Sequence, residues 1–383
     1  MNKSLAGDAG LYVHVPFCRA ICPYCDFYSI VSKTFQTSQY IEAIENEIKS
    51  LNNSPFSKFN YGSLFFGGGT PSLLQADEFE KIMNLINSGF SIANNAEATI
   101  ECNPTSLDIE KLNQYRSFGI NRISLGAQSF NDDHLKTLGR IHDSNTAVKS
   151  YEIVRAAGFD NVSIDLIYGI PGQSLKDWSN DLEKGIELAP EHISGYNLII
   201  EPNTLFGKMY DNGEIKPPPD NVQEKMYQLL NNKLTDAGLH RYEISNFAKD
   251  GYESVHNLKY WRSDPYLGLG PSAVSADGKR RTRNVSDLKS HIENMNKESY
   301  EAFETERIDH NKAITEKIMM GLRLTEGVSI TELKDKFGYD ISAEKENELT
   351  DLVKTKFVNI ENDRIAITEK GLYISDSIIL RLI

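Results

Sequence analysis

Three of the four cysteines in this 383-residue chain lie within eight positions near its N-terminus. Cys18, Cys22 and Cys25 have the spacing C-x3-C-x2-C, whereas Cys102 is remote. Three neighbouring cysteines cannot all pair in disulfides, and zinc sites usually need four ligands, for which no later C-x2-C is present. The tight spacing does not fit three apolar residues on a packed helix face. Three thiolates on one loop can instead hold three irons of a [4Fe–4S] cluster and leave the fourth iron open for a substrate.

A second candidate is the glycine run Gly67–Pro71, which follows a short apolar segment. Because glycine has no side chain, such a run allows a ligand to come close to the backbone. A glycine run alone is usually only a turn. Because it follows a predicted strand in a chain that also has the cysteine loop, we interpret it as a ligand-binding loop.

Four further polar residues are candidates of a weaker kind. Glu101 ends a predicted strand, where a carboxylate can accept hydrogen bonds from two ribose hydroxyls, although a surface strand end is the simpler interpretation. Gln128, Arg140 and Asp165 are ordinary surface residue types when each is taken alone. Asp165 differs from the other two because its charge interrupts an apolar strand.

A further candidate motif begins at His256 and has the sequence His256-Asn257-Leu-Lys-Tyr260-Trp261. Histidine is a common ligand of haem iron, and aromatic side chains can cover the face of a macrocycle. A loop histidine with aromatic anchors explains the same pattern equally well on physical grounds.

The composition limits the classes of partner. Hydrophobic residues make up 40% and charged residues 25% of the chain, values typical of a globular protein. The net charge of −13 disfavours binding to a nucleic-acid backbone. No apolar run approaches the roughly 20 residues of a membrane span, and the first ten residues contain no apolar segment of a signal peptide. A reducing, cytoplasmic location is therefore expected.

The elements that position these candidates alternate between strands and helices. Predicted strands begin near residues 11, 61, 96, 122, 162 and 192, and predicted helices cover 36–52, 77–88, 107–117, 131–137, 144–157 and 175–187. Such βαβ repetition predicts an α/β fold, a partial (β/α)6 barrel of the TIM type, with functional loops at the C-terminal strand ends. The cysteine loop, the glycine run, Glu101 and Gln128 fall at such ends. Asp165 falls in the middle of its strand.

The rest of the chain is less regular. We predict a barrel core over 1–215, an extension over 216–300 and a separate domain over 301–383. The extension carries the His256 motif and is predicted to have a helix over 220–237 and a strand near Tyr242–Phe247. In the last segment, helices near 311–322, 330–337 and 343–355 precede a hairpin that turns at 362–363, and a final helix follows residue 370. This order predicts a winged-helix-like domain. Its 17 Asp and Glu exceed its 12 Lys and Arg, so DNA reading is not expected.

The cysteine spacing resembles the signature of the radical S-adenosylmethionine (SAM) superfamily. The resemblance implies that the open iron chelates the amino and carboxylate groups of SAM. It also implies that one electron from the cluster breaks an S–C bond and gives a 5′-deoxyadenosyl radical, while the protein supplies placement and shielding.

Five segments together resemble the HemN/HemW group of that superfamily: residues 12–27, the sequence GGGTPS, the sequence ECNP, the sequence GAQS and the HNxxYW motif. The group contains oxygen-independent coproporphyrinogen III oxidases and HemW haem chaperones. The resemblance implies that SAM is contacted by Tyr12, Tyr24, Gly68, Gly69, Thr70, Glu101, Gln128, Arg140 and Asp165.

Phe27 favours the chaperones within this group. The oxidase motif continues as C-x3-C-x2-C-x-C, and Phe27 stands at its last position, while the segment before Cys18 is shorter than in the oxidases. Resemblance to HemW implies that the chain contacts haem through His256 and passes it to haem-accepting respiratory proteins. A bacterioferritin-type donor and peripheral membrane contact are left open. Oxidative decarboxylation of coproporphyrinogen III is the alternative, and a winged-helix adaptor would not explain the cysteine loop.

Overall fold

The structure, a computed structural model, describes residues 9–31, 36–297 and 304–383. Six parallel strands, here called the first to sixth barrel strands, follow one another in the sheet in sequence order. They are Ala9–Val15, Asn60–Gly68, Ser91–Cys102, Arg122–Gln128, Val162–Tyr168 and His192–Asn197. The predicted partial (β/α)6 barrel is confirmed.

Helices connect the barrel strands. Their bounds are Thr37–Ser50, Ala76–Gly89, Ile109–Ser117, Asp132–Thr137, Ser144–Ala156 and Leu175–Glu187, with short 3-10 turns at Pro55–Lys58, Pro71–Leu73 and Pro104–Ser106. The local sequence explains where the last of these helices starts, because Ser174 and Asp177 form a reciprocal capping box there. In the first helix, Tyr40, Ile44 and Ile48 are buried on one face, as the helical spacing predicts.

The sheet continues beyond the six barrel strands on both sides. Strand Tyr266–Leu269 pairs in parallel with the first barrel strand and is followed by the antiparallel strands Val274–Ala276, Arg280–Arg283 and Glu304–Arg307. At the other edge, Asn246–Ala248 and then His240–Arg241 add to the sixth barrel strand in antiparallel order. The strand predicted near Tyr242–Phe247 is thus two short strands, because the chain reverses between them.

Four helices lie in sequence between the sixth barrel strand and Glu304–Arg307: Leu205–Asp211, Asp220–Asp236, Val255–Trp261 and Leu288–Met295. Two very short strands, Phe17–Cys18 and Ile30–Val31, pair in parallel on either side of the cysteine loop. Among the described residues, no helix is both long and apolar enough to cross a membrane.

The C-terminal segment has its own three-stranded sheet, ordered Val328–Ser329, Arg364–Ile367, Val358–Glu361. Its helices are His310–Gly321, Ile330–Phe337, Ile341–Glu344, Glu346–Lys354 and Ser375–Leu382, with a 3-10 turn at Glu369–Ile374. The helix predicted over 343–355 is divided in two. Asn362 and Asp363, with φ of 49° and 66°, form the predicted hairpin turn. These elements agree with a winged-helix-like arrangement.

The predicted domain boundaries stay predictions. The boundary at 300/301 lies outside the described residues, and Glu304–Arg307, just beyond it, still pairs with Arg280–Arg283 in the large sheet. The small sheet and its helices therefore start after residue 307.

Candidate functional site

The cysteine loop leaves the C-terminal end of the first barrel strand and is fixed at its middle. Pro23 is the anchor: its carbonyl oxygen accepts a hydrogen bond from the Phe206 N–H at 2.8 Å. Gly139, with φ of 65°, lies so close that a Cβ there would be 2.5 Å from Pro23 Cδ. A turn closes between Cys22 and Cys25, whose N–H donates to the Cys22 carbonyl at 3.0 Å. The sequence thus holds three cysteines on a short, supported loop.

The three thiols of this loop line one cavity of about 500 Å³, here called the cysteine cavity, and none of them is in a disulfide. Arg140 Nη1 lies 3.6 Å from Cys22 Sγ, and Thr70 Oγ1 lies 3.6 Å from Cys18 Sγ. Burial, with a smaller contribution from the neighbouring thiols, raises the pKa of Cys25 to about 11, and burial also raises the pKa of Cys18. Burial therefore favours the neutral thiol at Cys18 and Cys25 in the ligand-free protein.

The donor set fits an iron–sulfur cluster. Within the described residues, no three His, Cys, Asp or Glu side chains converge as they would on a single metal ion. A [4Fe–4S] cluster takes one thiolate on each liganded iron, so its ligands need not converge on one point. Thiolates are also the soft donors that such clusters prefer.

The glycine run lies against the first barrel strand at one side of the cysteine cavity. Gly68 has φ of 107°, and a Cβ there would lie 2.6 Å from His14 Cε1. A Cβ at Gly69 would lie 2.8 Å from the Phe17 carbonyl oxygen, which accepts the Thr70 N–H at 2.8 Å. Close backbone approach explains both glycines. The N–H groups of Gly69 and Thr70 donate within the fold, to the carbonyl oxygens of Val15 and Phe17. An ammonium group only donates hydrogen bonds, so a bound one would have to find carbonyl oxygens here.

Two carboxyl groups line the inner wall of the same cavity. Glu101 Oε2 accepts from the Gly68 N–H at 3.3 Å, and burial, followed by the charge of Asp165, raises the pKa of Glu101 to about 8. Asp165 accepts from Ser124 Oγ at 2.8 Å and from Ser163 Oγ at 3.3 Å, while burial raises its pKa. The middle of a strand therefore suits Asp165, because its side chain points into the barrel.

The lining of the cysteine cavity also carries buried polar atoms without partners. Gln128 has φ of 67°, at the point where the register with the fifth barrel strand shifts, a strained conformation that typically costs about 1–3 kcal/mol. Arg140 Nη2 donates to Gly126 O at 3.0 Å, yet Arg140 Nε and Asn197 Oδ1 are buried and have no hydrogen-bond partner among the described residues. Both residues line the cavity, so the site is suited to a polar ligand.

The structure divides the predicted site residues between two cavities. Eleven of the thirteen line the cysteine cavity: Cys18, Cys22, Cys25, Tyr24, Gly68, Gly69, Thr70, Glu101, Gln128, Arg140 and Asp165. Tyr12 and His256 instead line a second cavity of about 330 Å³, here called the inner cavity. The two cavities have Phe27, Glu101 and Asp165 among their common lining residues, so they meet inside the barrel.

His256 lies in helix Val255–Trp261, not in a loop, and it is buried. Its Nδ1 lies 2.9 Å from Ser63 Oγ and its Nε2 lies 2.9 Å from Tyr260 OH. The imidazole stacks on Phe65, with ring centroids 5.1 Å apart. Burial lowers the pKa of His256 to about 3, so the ring is neutral, and both of its nitrogens are engaged in this arrangement.

Several residues of the inner cavity were not predicted. Ser124, Ser163 and Ser194 line it from three consecutive barrel strands, and Arg122 is a buried cation that donates to Tyr252 O at 2.8 Å. The sequence does contain a pattern that could have indicated these serines: each of the three strands has a serine beside its apolar residues, as in RISLG, VSIDL and HISGY. Serine is common enough in strands that the repetition carries meaning only once the strands are aligned.

Known proteins are similar to this chain over most of its length. Residues 12–184 match the Radical SAM superfamily, and residues 308–374 match the HemN C-terminal domain. Heme chaperone HemW of Bacillus subtilis is 35% identical over 362 residues, which are 94% of this chain and 95% of the relative. Heme chaperone HemW of Escherichia coli is 38% identical over 272 residues, 69% of this chain and 68% of the relative.

A solved structure agrees with the fold. The coproporphyrinogen III oxidase HemN of Escherichia coli, described as a radical SAM enzyme, has a TM-score of 0.85 and 24% identity, with 100% of this chain and 91% of that chain covered. The likeness at this identity concerns the fold alone. Together with the identity to the curated relatives, the cysteine loop at the end of the first barrel strand leads to one conclusion: the chain belongs to the HemW family of radical SAM proteins.

Proposed function

We propose that this protein is a haem chaperone that holds a [4Fe–4S] cluster and SAM at the mouth of its barrel, binds haem and delivers it to respiratory haem proteins. One observation carries the proposal: the cysteine loop and the His256 helix line two cavities that meet inside one barrel. The name of the relatives supports haem as the cargo. We further propose a cytoplasmic location and a bacterioferritin-type donor as a partner.

The cluster ligands in this proposal are Cys18, Cys22 and Cys25, and the bound cluster with SAM supplies one-electron chemistry. Arg140 donates to the Cys22 sulfur and keeps its charge beside the thiolates at every working pH. Thr70 Oγ1 contacts the Cys18 sulfur at 3.6 Å. These two contacts orient the loop for the cluster.

SAM would lie along the remaining walls of the cysteine cavity. Carbonyl oxygens of the run Gly68–Thr70 would accept from its ammonium group, and Glu101 would accept from its ribose hydroxyls. The unpartnered Arg140 Nε supplies a donor for a carboxylate or a ring nitrogen. We propose contacts to SAM as well for a further set of residues: Tyr12, Tyr24, Gln128 and Asp165.

Haem contact by His256 is the part of the proposal that requires a rearrangement. Its Nε2 is engaged by the Tyr260 hydroxyl at 2.9 Å, so an iron bond at this atom must displace that hydroxyl. Tyr260→Phe removes the competing group and is expected to strengthen haem binding if Nε2 contacts the iron. The Soret spectrum of haem-loaded protein reports the change. Equal spectra and equal affinity in both proteins would rule out a bond from Nε2.

The cluster assignment is tested by iron and sulfide content after anaerobic reconstitution. Cys22→Ala is expected to lose the brown absorbance of the cluster, because it removes one of three ligands. Cys102→Ala is the matched control, since Cys102 is buried at the end of the third barrel strand and is not a proposed ligand. A Cys22→Ala protein with full iron and sulfide content would contradict the assignment.

The function itself is tested with haem-loaded, reconstituted protein and a haem-free respiratory acceptor. Haem is expected to move to the acceptor, as followed by the acceptor's own absorbance. In a parallel reaction the protein is given SAM, reductant and coproporphyrinogen III. Formation of protoporphyrinogen IX without haem transfer would replace the chaperone proposal with the oxidase, whose fold this chain shares.

A further inference from the structure

Four polar side chains form a continuous series of hydrogen bonds that starts at the inner cavity. Asp165 accepts from Ser163 Oγ at 3.3 Å, and Ser163 Oγ lies 2.7 Å from His192 Nδ1. The other ring nitrogen, His192 Nε2, lies 2.8 Å from Tyr242 OH, which accepts the Ser254 N–H at 3.2 Å. We call the four side chains from Asp165 to Tyr242 the Asp165 network. The proposed function uses only the first of them.

The sheet places the inner part of this network. Ser163 and Asp165 are two residues apart on the fifth barrel strand, so both point to the same side of the sheet. His192, on the sixth barrel strand, is the register partner of Ser163. Two residues further on, Ser194 is the register partner of Asp165 and also bonds to its carboxyl group. The pairing of two barrel strands therefore brings these side chains together.

The outer end of the Asp165 network determines the direction of its hydrogen bonds. The backbone N–H of Ser254 can only donate, so the oxygen of Tyr242 accepts from it. The single hydrogen of the Tyr242 hydroxyl then points to its other hydrogen-bonding neighbour, His192 Nε2. This ring nitrogen is therefore an acceptor and carries no hydrogen.

The neutral form of His192 carries the direction inward. The ring is buried, and burial, followed by the charge of Arg122, lowers the pKa of His192 well below its usual range. A neutral imidazole has one hydrogen, which lies on Nδ1 because Nε2 accepts. His192 Nδ1 thus donates to Ser163 Oγ, and the Ser163 hydroxyl donates to Asp165. Every hydrogen bond of the network is directed toward the Asp165 carboxyl group.

We propose that His192 is a positioning residue for the SAM site: with its hydrogen on Nδ1, it keeps Ser163 as a donor to Asp165 and so orients that carboxylate where the two cavities meet. The inference rests on the proposed contact between Asp165 and SAM and states how that side chain is held. Ser124 Oγ donates to the other carboxylate oxygen at 2.8 Å. A carboxylate can accept about four hydrogen bonds, so Asp165 can still accept from a ligand.

The position of the hydrogen on His192 is the first test, and it involves neither SAM nor haem. Long-range proton–nitrogen correlation spectra of full-length, reconstituted protein with isotope-labelled histidine distinguish Nδ1–H from Nε2–H. The signal that is absent from His192→Gln belongs to His192, and the signal that Tyr242→Phe shifts gives the same assignment if His192→Gln does not fold. We expect a hydrogen on Nδ1. A hydrogen on Nε2 would reverse the network and overturn the inference.

The second test measures the dissociation constant of SAM by equilibrium dialysis. Tyr242→Phe frees Nε2, so His192 can move its hydrogen there and Ser163 can turn away from Asp165. Tyr61→Phe is the matched control, because it also removes one hydroxyl hydrogen bond, to Phe56 O at 2.8 Å, and Tyr61 lines neither cavity. We expect about a fivefold increase for Tyr242→Phe and less than about a twofold change for Tyr61→Phe. Iron content and circular dichroism are measured in both, so that loss of cluster or fold is recognised.

A double-mutant cycle separates positioning from general support of the fold. Ser163→Ala removes the donor to Asp165 whichever nitrogen of His192 carries the hydrogen. In this background Tyr242→Phe should change SAM affinity by less than about twofold, because its effect passes through Ser163. A purely structural role of Tyr242 would instead give the same fivefold loss in both backgrounds.

The outcomes separate this inference from the proposed function. Wild-type protein that binds no SAM would overturn the proposed SAM contacts and, with them, the role of His192 in binding. Tight SAM binding by wild type with equal affinities in Tyr242→Phe and Tyr61→Phe would overturn the role of His192 alone. Equal effects of Tyr242→Phe with and without Ser163 would also overturn it and leave the SAM site in place.

Discussion

Replacement of His256 by alanine is expected to destabilise the whole fold, quite apart from any effect on haem. The side chain is 1% exposed, hydrogen-bonded at both ring nitrogens and stacked on Phe65. The substitution would leave a cavity and strand two hydroxyl groups, those of Ser63 and Tyr260. Loss of a large buried ring together with its hydrogen bonds should lower the free energy of unfolding by about 3–5 kcal/mol.

Single substitutions at Ser63 and Tyr260 separate the contributions of the two hydrogen bonds of the His256 ring to the free energy of unfolding. Ser63→Ala and Tyr260→Phe each remove one hydrogen bond of the ring and are expected to lower the free energy of unfolding by about 1–2 kcal/mol. His310→Ala is the control, because His310 is exposed at the start of a helix and should change stability by less than about 0.5 kcal/mol. Urea unfolding followed by far-UV circular dichroism measures all four variants in the ligand-free protein.

One result would refute this reasoning directly. If His256→Ala lowered the free energy of unfolding by less than about 1 kcal/mol, the buried hydrogen bonds of the ring would not be part of the stable fold. The expected destabilisation has a practical consequence for haem experiments. Lost haem binding in His256→Ala identifies a haem contact only under conditions where the variant is folded, whereas Tyr260→Phe keeps the ring in place.

Two further predictions concern the cysteine cavity. Gly68→Ala should abolish SAM binding in equilibrium dialysis, because its Cβ would lie 2.6 Å from the His14 ring. Gly278→Ala is the control: Gly278 also has a positive φ but has open space around it, so this variant should bind SAM normally. Equal SAM binding by the two variants would contradict the packing argument. Burial raises the pKa of Glu101 to about 8, so the folded state holds its proton where the unfolded state does not. The free energy of unfolding of the ligand-free protein should therefore fall as pH rises from about 5 to about 8, by at most about 1.4 kcal/mol per unit, and level off at higher pH. Glu101→Gln should remove this contribution, and an unchanged pH profile in that variant would show that Glu101 is already ionised.

Much of the site could be predicted because its signals are local. The cysteine spacing, the glycine run and the polar residues after apolar strands are read directly from short segments, and the parallel barrel brings strand ends to one side. The charge of Asp165 inside an apolar strand also indicated a special environment, and the structure shows its carboxyl buried against Ser124 and Ser163.

Other features depend on contacts that are distant in sequence. Tyr12 and His256 belong to the inner cavity because strand Tyr266–Leu269 and helix Val255–Trp261 close the barrel beside the first strand. That helix has only seven residues, too few for a clear helical period, and its histidine therefore resembled a loop residue. Gly268 and Leu269, in a glycine-rich stretch, pair with the first barrel strand, and a turn begins only at Gly270.

Phe27 lines both cavities, so a ligand that moves its ring would make their occupancies thermodynamically dependent on each other. A ligand in the cysteine cavity that shifts this ring changes the free energy of occupying the inner cavity, and linkage requires the reverse effect to be equal in size. SAM and haem affinities measured separately would then not describe the protein that holds both. The ratio of haem affinity with and without SAM would measure this dependence, and the same ratio must appear when SAM is titrated with and without haem. An aromatic side chain at this position would thus couple the affinities of the two proposed ligands by the same factor in both directions.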